Sequence, residues 1–141
     1  MEDRYLCKAR PIGTRKQWVT GFYAVLGEKT VIIEKEPEKY HDIEAGKISC
    51  GNEIVEVIPK TVCQCTGLKD KNGKLVWEND IVMTVYDGNE HIYQVVWDES
   101  ELDFKATNGK ENYESNFEYL PCCDEIEILG NCFDNPELLE V

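Results

Sequence analysis

Between Thr61 and Val82, two β-prone runs, Val62 to Leu68 and Leu75 to Trp77, flank Asn72-Gly73, a dipeptide that tolerates positive φ. This arrangement predicts a hairpin with a type I′ turn at Asn72-Gly73, Gly73 left-handed, and Lys69 to Lys74 as its tip. Glu78-Asn79-Asp80 then bends the chain into a further strand, Ile81 to Tyr86.

The rest of the chain reads in the same short units. Tyr5 to Ala9 and Gln17 to Leu26 are candidate strands, with Gly21 as a bulge, and Thr30 to Ile33 follows a turn at Gly27 to Lys29. The charged stretch Glu34 to Glu38, which holds Pro37, and a helical turn over Tyr40 to Lys47 ended by Gly46 read as an exposed connection. Ile54 to Ile58 is a compact apolar strand broken by Pro59. Beyond the tight turn at Asp87-Gly88-Asn89, Ile92 to Trp97 alternates so that Tyr93, Val95 and Trp97 share a face, and Phe104 to Thr107 continues the meander.

In the tail, Tyr113, Phe117 and Leu120 fall at helical spacing before Pro121, which predicts one or two helical turns. Ile126 and Ile128 alternate with Glu125 and Glu127 as in a strand with one wet face, and Asn135-Pro136-Glu137 opens a short terminal helix. Five or six short strands over the C-terminal part suit a small, partly open barrel; an OB-like barrel or a sandwich fits the same pattern.

The string Thr-Val-Cys-Gln-Cys-Thr-Gly-Leu-Lys-Asp-Lys-Asn-Gly from Thr61, closed by Glu-Asn-Asp-Ile-Val at Glu78, resembles the signature of the YopX family of phage and prophage proteins. The stretches 5 to 23 and 126 to 139 resemble that family as well. The resemblance implies a mainly β chain: a β-rich N-terminal elaboration over residues 1-60 and an SH3-like barrel over 61-141, with one or two short helices. It brings no activity with it. Cys7, Cys63 and Cys65 depart from the usual pattern, and Asn79 stands where Gly is usual. Asn is the commonest non-Gly residue at positive φ, so the turn before Asp80 is expected to survive.

Charge is divided unevenly. Residues 1 to 74 hold 13 Lys or Arg against 11 Asp or Glu, whereas residues 75 to 141 hold 2 against 17, giving the net −13 of the chain. Duplex binding requires a basic stripe, and the anionic half repels phosphate. That half is either a solubilising surface or a face that docks on a basic protein. No apolar stretch approaches the roughly 18–20 residues that span a bilayer, and no basic flank leads into an apolar core at the N-terminus, so a cytoplasmic protein of the bacterial host is expected, with no membrane partner.

Seven cysteines, at positions 7, 50, 63, 65, 122, 123 and 132, raise the question of metal. Cys63 and Cys65 would share a strand face as half a site, completed by Cys122 or Cys123, but the paired Cys-x-x-Cys knuckles of structural zinc are missing. Free thiols in a reducing compartment, with no metal and no cofactor, are expected instead. His41 and His91 adjoin no nucleophile elbow, so no catalytic residue is named. The run Asp98 to Asp103 lacks the Gly and bidentate Glu of a calcium loop and reads as a solvated turn. Trp18, Trp77 and Trp97, each within an apolar strand, are expected in the core.

These observations lead to a non-enzymatic accessory protein that binds a protein partner through its acidic half, with self-association left open. The alternative is a nucleic-acid module using the N-terminal half and the basic hairpin tip.

Overall fold

A computed structural model describes residues 5–13, 17–34, 54–108 and 117–139. The chain is mainly β, in antiparallel ladders throughout, and the helical elements among the described residues are 3-10 turns at Pro59–Thr61, Leu120–Cys122 and Pro136–Leu139. Two compact units divide it: the first spans Tyr5–Gln64 and the second begins at Cys65.

In the first unit, β1 (Cys7–Ala9), β2 (Val19–Leu26), β3 (Lys29–Glu34) and β4 (Ile54–Glu56) lie in the order β4-β3-β2-β1. Alternation sends Ala9, Val19 and Ile32 to one face, where they pack with Val57 as a fully buried core flanked by Cys7, Val55 and Val62. Burying each such Val or Ile contributes about 1.5–3 kcal/mol. Gly21 is not a bulge. It pairs in unbroken register with Cys7 and Glu34, and a Cβ there would overlap the Ile33 carbonyl, so close strand approach is what requires glycine. After β4, Thr61 accepts the Arg10 N–H (2.9 Å) and donates to Ile58 O (2.7 Å), satisfying backbone groups where Pro59 ends the ladder.

The chain enters the second unit along β5 (Cys63–Lys69), which pairs with β6 (Leu75–Trp77) at Cys65↔Trp77 and Lys69↔Leu75. A five-stranded sheet follows in the order β10-β9-β8-β7-β11, made of β7 (Asp80–Tyr86), β8 (Asn89–Asp98), β9 (Asp103–Thr107), β10 (Phe117–Tyr119) and β11 (Glu125–Asn131). The β7–β8 turn has both central residues at positive φ, Asp87 (50°) and Gly88 (82°), which is the type I′ form. Val76, Val82, Tyr93, Val95, Ala106, Leu120 and Ile126 fill the core.

The sheet is strongly curled. Glu118 on β10 accepts a hydrogen bond from the Thr84 hydroxyl on β7 (2.5 Å), although three strand spacings, roughly 14 Å if flat, separate those strands. Among the described residues no ladder joins β10 to β11, and the five strands form a curled sheet.

One helical expectation is corrected. Phe117–Tyr119 is a strand because pairing with β9 (Phe117↔Thr107, Tyr119↔Lys105) overrides the helical spacing. The short terminal helix forms where Asn135-Pro136-Glu137 predicts it, as a 3-10 turn at Pro136–Leu139. The expected helical turn at Tyr40–Lys47 lies outside the described residues.

Candidate interaction surface

The hairpin signature acts mainly by satisfying backbone groups. Its turn is not type I′: Gly73 is left-handed (φ 82°) but Asn72 is not, and Gly73 N–H donates to Asp70 O (3.0 Å). The tip is instead organised by Asp70, whose buried carboxylate accepts N–H groups of Asn72 (2.9 Å), Lys74 (2.9 Å) and Ile128 (3.1 Å). Burial alone would raise its pKa, but these backbone donors, led by Lys74, bring it below the usual carboxylate value. Lys71 N–H donates to Ile126 O (2.8 Å), and its ammonium lies 3.5 Å from Glu127, so the tip seals the edge of β11.

Upstream, β5 bulges between Cys65 and Lys69 with Gly67 at φ 81°. The Thr66 hydroxyl makes good the interrupted ladder by donating to Val76 O (2.7 Å) and accepting Leu68 N–H (3.1 Å). Downstream, Asn79 sits at φ 71° as its side chain permits; its N–H donates to Val95 O (2.8 Å), and Asp80 accepts Trp77 N–H (2.8 Å). Thr66-Gly67-Leu68 thereby becomes one wall of a surface trough.

Across it stand Leu102 and Asp103, where the β8–β9 loop, Glu99 to Leu102, runs into β9, and that loop is built around a buried cation. Lys105 projects from β9 with its ammonium 2.7 Å from Asp98 Oδ2 and 2.9 Å from Glu101 Oε1, and it lies 4.2 Å from the centre of the Phe117 ring. Asp98 Oδ1 accepts the Ser100 N–H (2.9 Å) and hydroxyl (2.7 Å), while the Tyr119 hydroxyl donates to Glu101 Oε2 (2.7 Å). The Lys105 ammonium, then the Ser100 hydroxyl, hold the Asp98 carboxyl well below the usual range against the opposing effect of burial. Tyr119 and then Lys105 lower Glu101, and its bond to Asp98 raises Lys105 above the ordinary lysine value.

The run is the expected exposed turn over Glu99 to Leu102, but Asp98 at its start is buried against Lys105, the one lysine that the described residues hold beyond Lys74. A lone Lys in the apolar run Phe104-Lys105-Ala106, four residues after Glu101 and seven after Asp98, was the signal that sequence reading missed.

Between the walls lies a trough of ≈ 320 Å³ whose floor includes Trp97 and Phe104, edge to face at 4.9 Å between ring centres, with Pro121 at one side. Leu102 and Asp103 form its lip. Leu102 is left-handed (φ 56°) and 72% exposed, an uncommon combination for a bulky residue.

The other candidates are dispersed. Cys63 and Cys65 are both buried on one face of β5, and Cys63 donates to Thr61 O (3.2 Å). Cys122 is exposed; Cys123 is half-buried, its thiol pushed up to about 12 by burial and then by Glu118. None of the six described cysteines forms a disulfide, and no group of three or more His, Cys, Asp or Glu among the described residues is placed to hold a metal ion. Cys50 and His41 lie outside the described residues.

His91 stacks on Tyr93 (4.9 Å) and faces Glu118 Oε2 at 3.7 Å. The three tryptophans are half-buried and not core, as befits side chains too large to be enclosed in small sheets; Trp18 lies beneath Lys8 (5.0 Å) and Arg10 (5.1 Å). No helix among the described residues is long and apolar enough to cross a membrane.

A family model described as YopX protein matches residues 23–140, nearly the whole chain. Among curated proteins, none matches it.

Proposed function

The chain belongs to the YopX family, and on that premise we propose that it is a non-enzymatic accessory protein of a phage or prophage that docks a basic protein partner on its acidic half in the host cytoplasm. One observation carries this reading: the described part of residues 75–139 turns its single lysine inward, while Asp87, Glu90, Glu99, Asp124, Glu125, Asp134 and Glu137 stay exposed; Asp80, Asp98 and Glu118 are the buried carboxylates. An unscreened single-sign surface accelerates encounter with an opposite one.

The chemistry nearby supports binding over catalysis. Thr84, opposite His91 in the ladder, donates its hydroxyl to Glu118 and not to the ring, and Cys123 is held protonated. We read the second unit as an SH3-like barrel. A four-stranded meander, a 3-10 turn at Leu120–Cys122 and a fifth strand returning to β7 support this.

Affinity capture from bacterial lysate with the full-length protein tests the function. A basic protein retained at low salt and released at high salt is expected. Retention of the chain on duplex DNA at physiological salt would contradict it. The Lys8–Trp18–Arg10 cluster is what favours the alternative, a nucleic-acid module. The hairpin tip adds little to that alternative, since Lys71 is engaged by Glu127.

A further inference from the structure

We propose that the trough beside the β8–β9 loop binds a short cationic peptide segment, seating one aliphatic side chain on Trp97 and Phe104 beneath Leu102. This rests on the interaction-protein reading and specifies the partner's chemistry.

The first support is Leu102. A left-handed position at the end of a four-residue hairpin loop favours Gly or Asn, and a leucine there carries backbone strain. Exposed leucine recovers little of that by burial, so the folded state gains nothing from it; a ligand closing the trough would.

The second is preorganisation. Lys105, Asp98, Glu101 and Tyr119 fix the loop before any partner arrives, which spares the ordering cost of binding. The third is charge. Residues 98–105 carry four carboxylates and one ammonium, and that ammonium is sealed inside, leaving Asp103 at the rim and the exposed Glu99 on the adjoining loop. Such a rim repels nucleotides and anionic lipid and attracts Lys or Arg on either side of an apolar anchor. The trough's ≈ 320 Å³ sits at the low end for ligand pockets and suits a single side chain.

The test uses the full-length protein and three synthetic nine-residue peptides, read by tryptophan fluorescence and calorimetry. One has Leu between Lys-Lys pairs, one replaces that Leu by Ser, and one replaces the lysines by Glu. The Leu/Lys peptide is expected to bind, the Ser peptide about tenfold or more weakly, and the Glu peptide not at all. Leu102→Gly should raise the thermal midpoint while weakening the Leu/Lys peptide severalfold, and Glu99→Gln should weaken it in a salt-dependent way.

Equal affinity for the Leu and Ser peptides, or unchanged affinity in Leu102→Gly, would overturn the trough while leaving an acidic interaction surface intact. Failure of all three peptides, with lysate capture persisting, would also overturn the trough alone. Failure of both would remove the interaction reading with it.

Discussion

The ammonium of Lys105 lies 2.7 Å from the Asp98 carboxylate, and only 3% and 7% of the two side chains meets solvent. A buried pair of this kind is costly to break from one side, because the remaining charge is left unpaired. It sets the shape of the loop and, through the loop, of the trough.

Lys105→Met should therefore lower the thermal midpoint well beyond a Lys60→Met control on the surface. Adding Asp98→Asn to it should recover part of the loss, since the orphaned carboxylate is then neutral. Strict additivity of the two changes in a double-mutant cycle would contradict the pairing.

The same pair predicts a pH dependence. Asp98 and Glu101 are held below their ordinary values when folded, so their contribution is complete above the unfolded value of about 4 and is lost as pH falls through the folded ones. Lys105 is raised, so its contribution holds through neutral pH and is lost only above the ordinary lysine range. Acid titration of thermal midpoints should show a shallower fall in Asp98→Asn than in wild type, and parallel slopes would contradict this.

Asp70 and Gly73 test the hairpin. Asp70→Ala leaves three backbone donors without their acceptor and should cost about 1–3 kcal/mol by chemical denaturation. Gly73→Val forces a β-branched residue to positive φ and should cost about 1–2 kcal/mol, with open space around the new side chain leaving conformation as the cause. Effects no larger than an exposed Lys→Ala would refute both.

Most of the strands were legible because their alternation and turn residues are local. β7, β8 and β11 follow directly from Ile81 to Tyr86, Ile92 to Trp97 and Ile126 to Ile128. The type of turn at Asn72-Gly73 was not, because it is decided by Asp70 and by Ile128, which is distant in sequence. Asn79 behaved as its side chain predicts. The trough was hidden for a different reason: it joins Leu68, Trp97, Leu102 and Pro121, four positions brought together only by sheet curl and the β5 bulge.

The thiols should react in order of exposure and acidity. Cys122 is exposed, whereas Cys63 and Cys65 are buried and Cys123 is held protonated to about 12. Brief iodoacetamide treatment of the native protein near pH 8 should label Cys122 ahead of those three, as read by peptide mapping. Faster labelling of Cys123 would contradict the packing described for it.

Amide and indole chemical-shift mapping of the full-length protein during titration with the Leu/Lys peptide tests the central claim most directly. The account predicts that the largest changes fall on the Trp97 indole and on the amides of Leu68, Leu102 and Phe104. Changes confined to scattered acidic residues such as Glu125 and Glu137, with Trp97 unmoved, would contradict it.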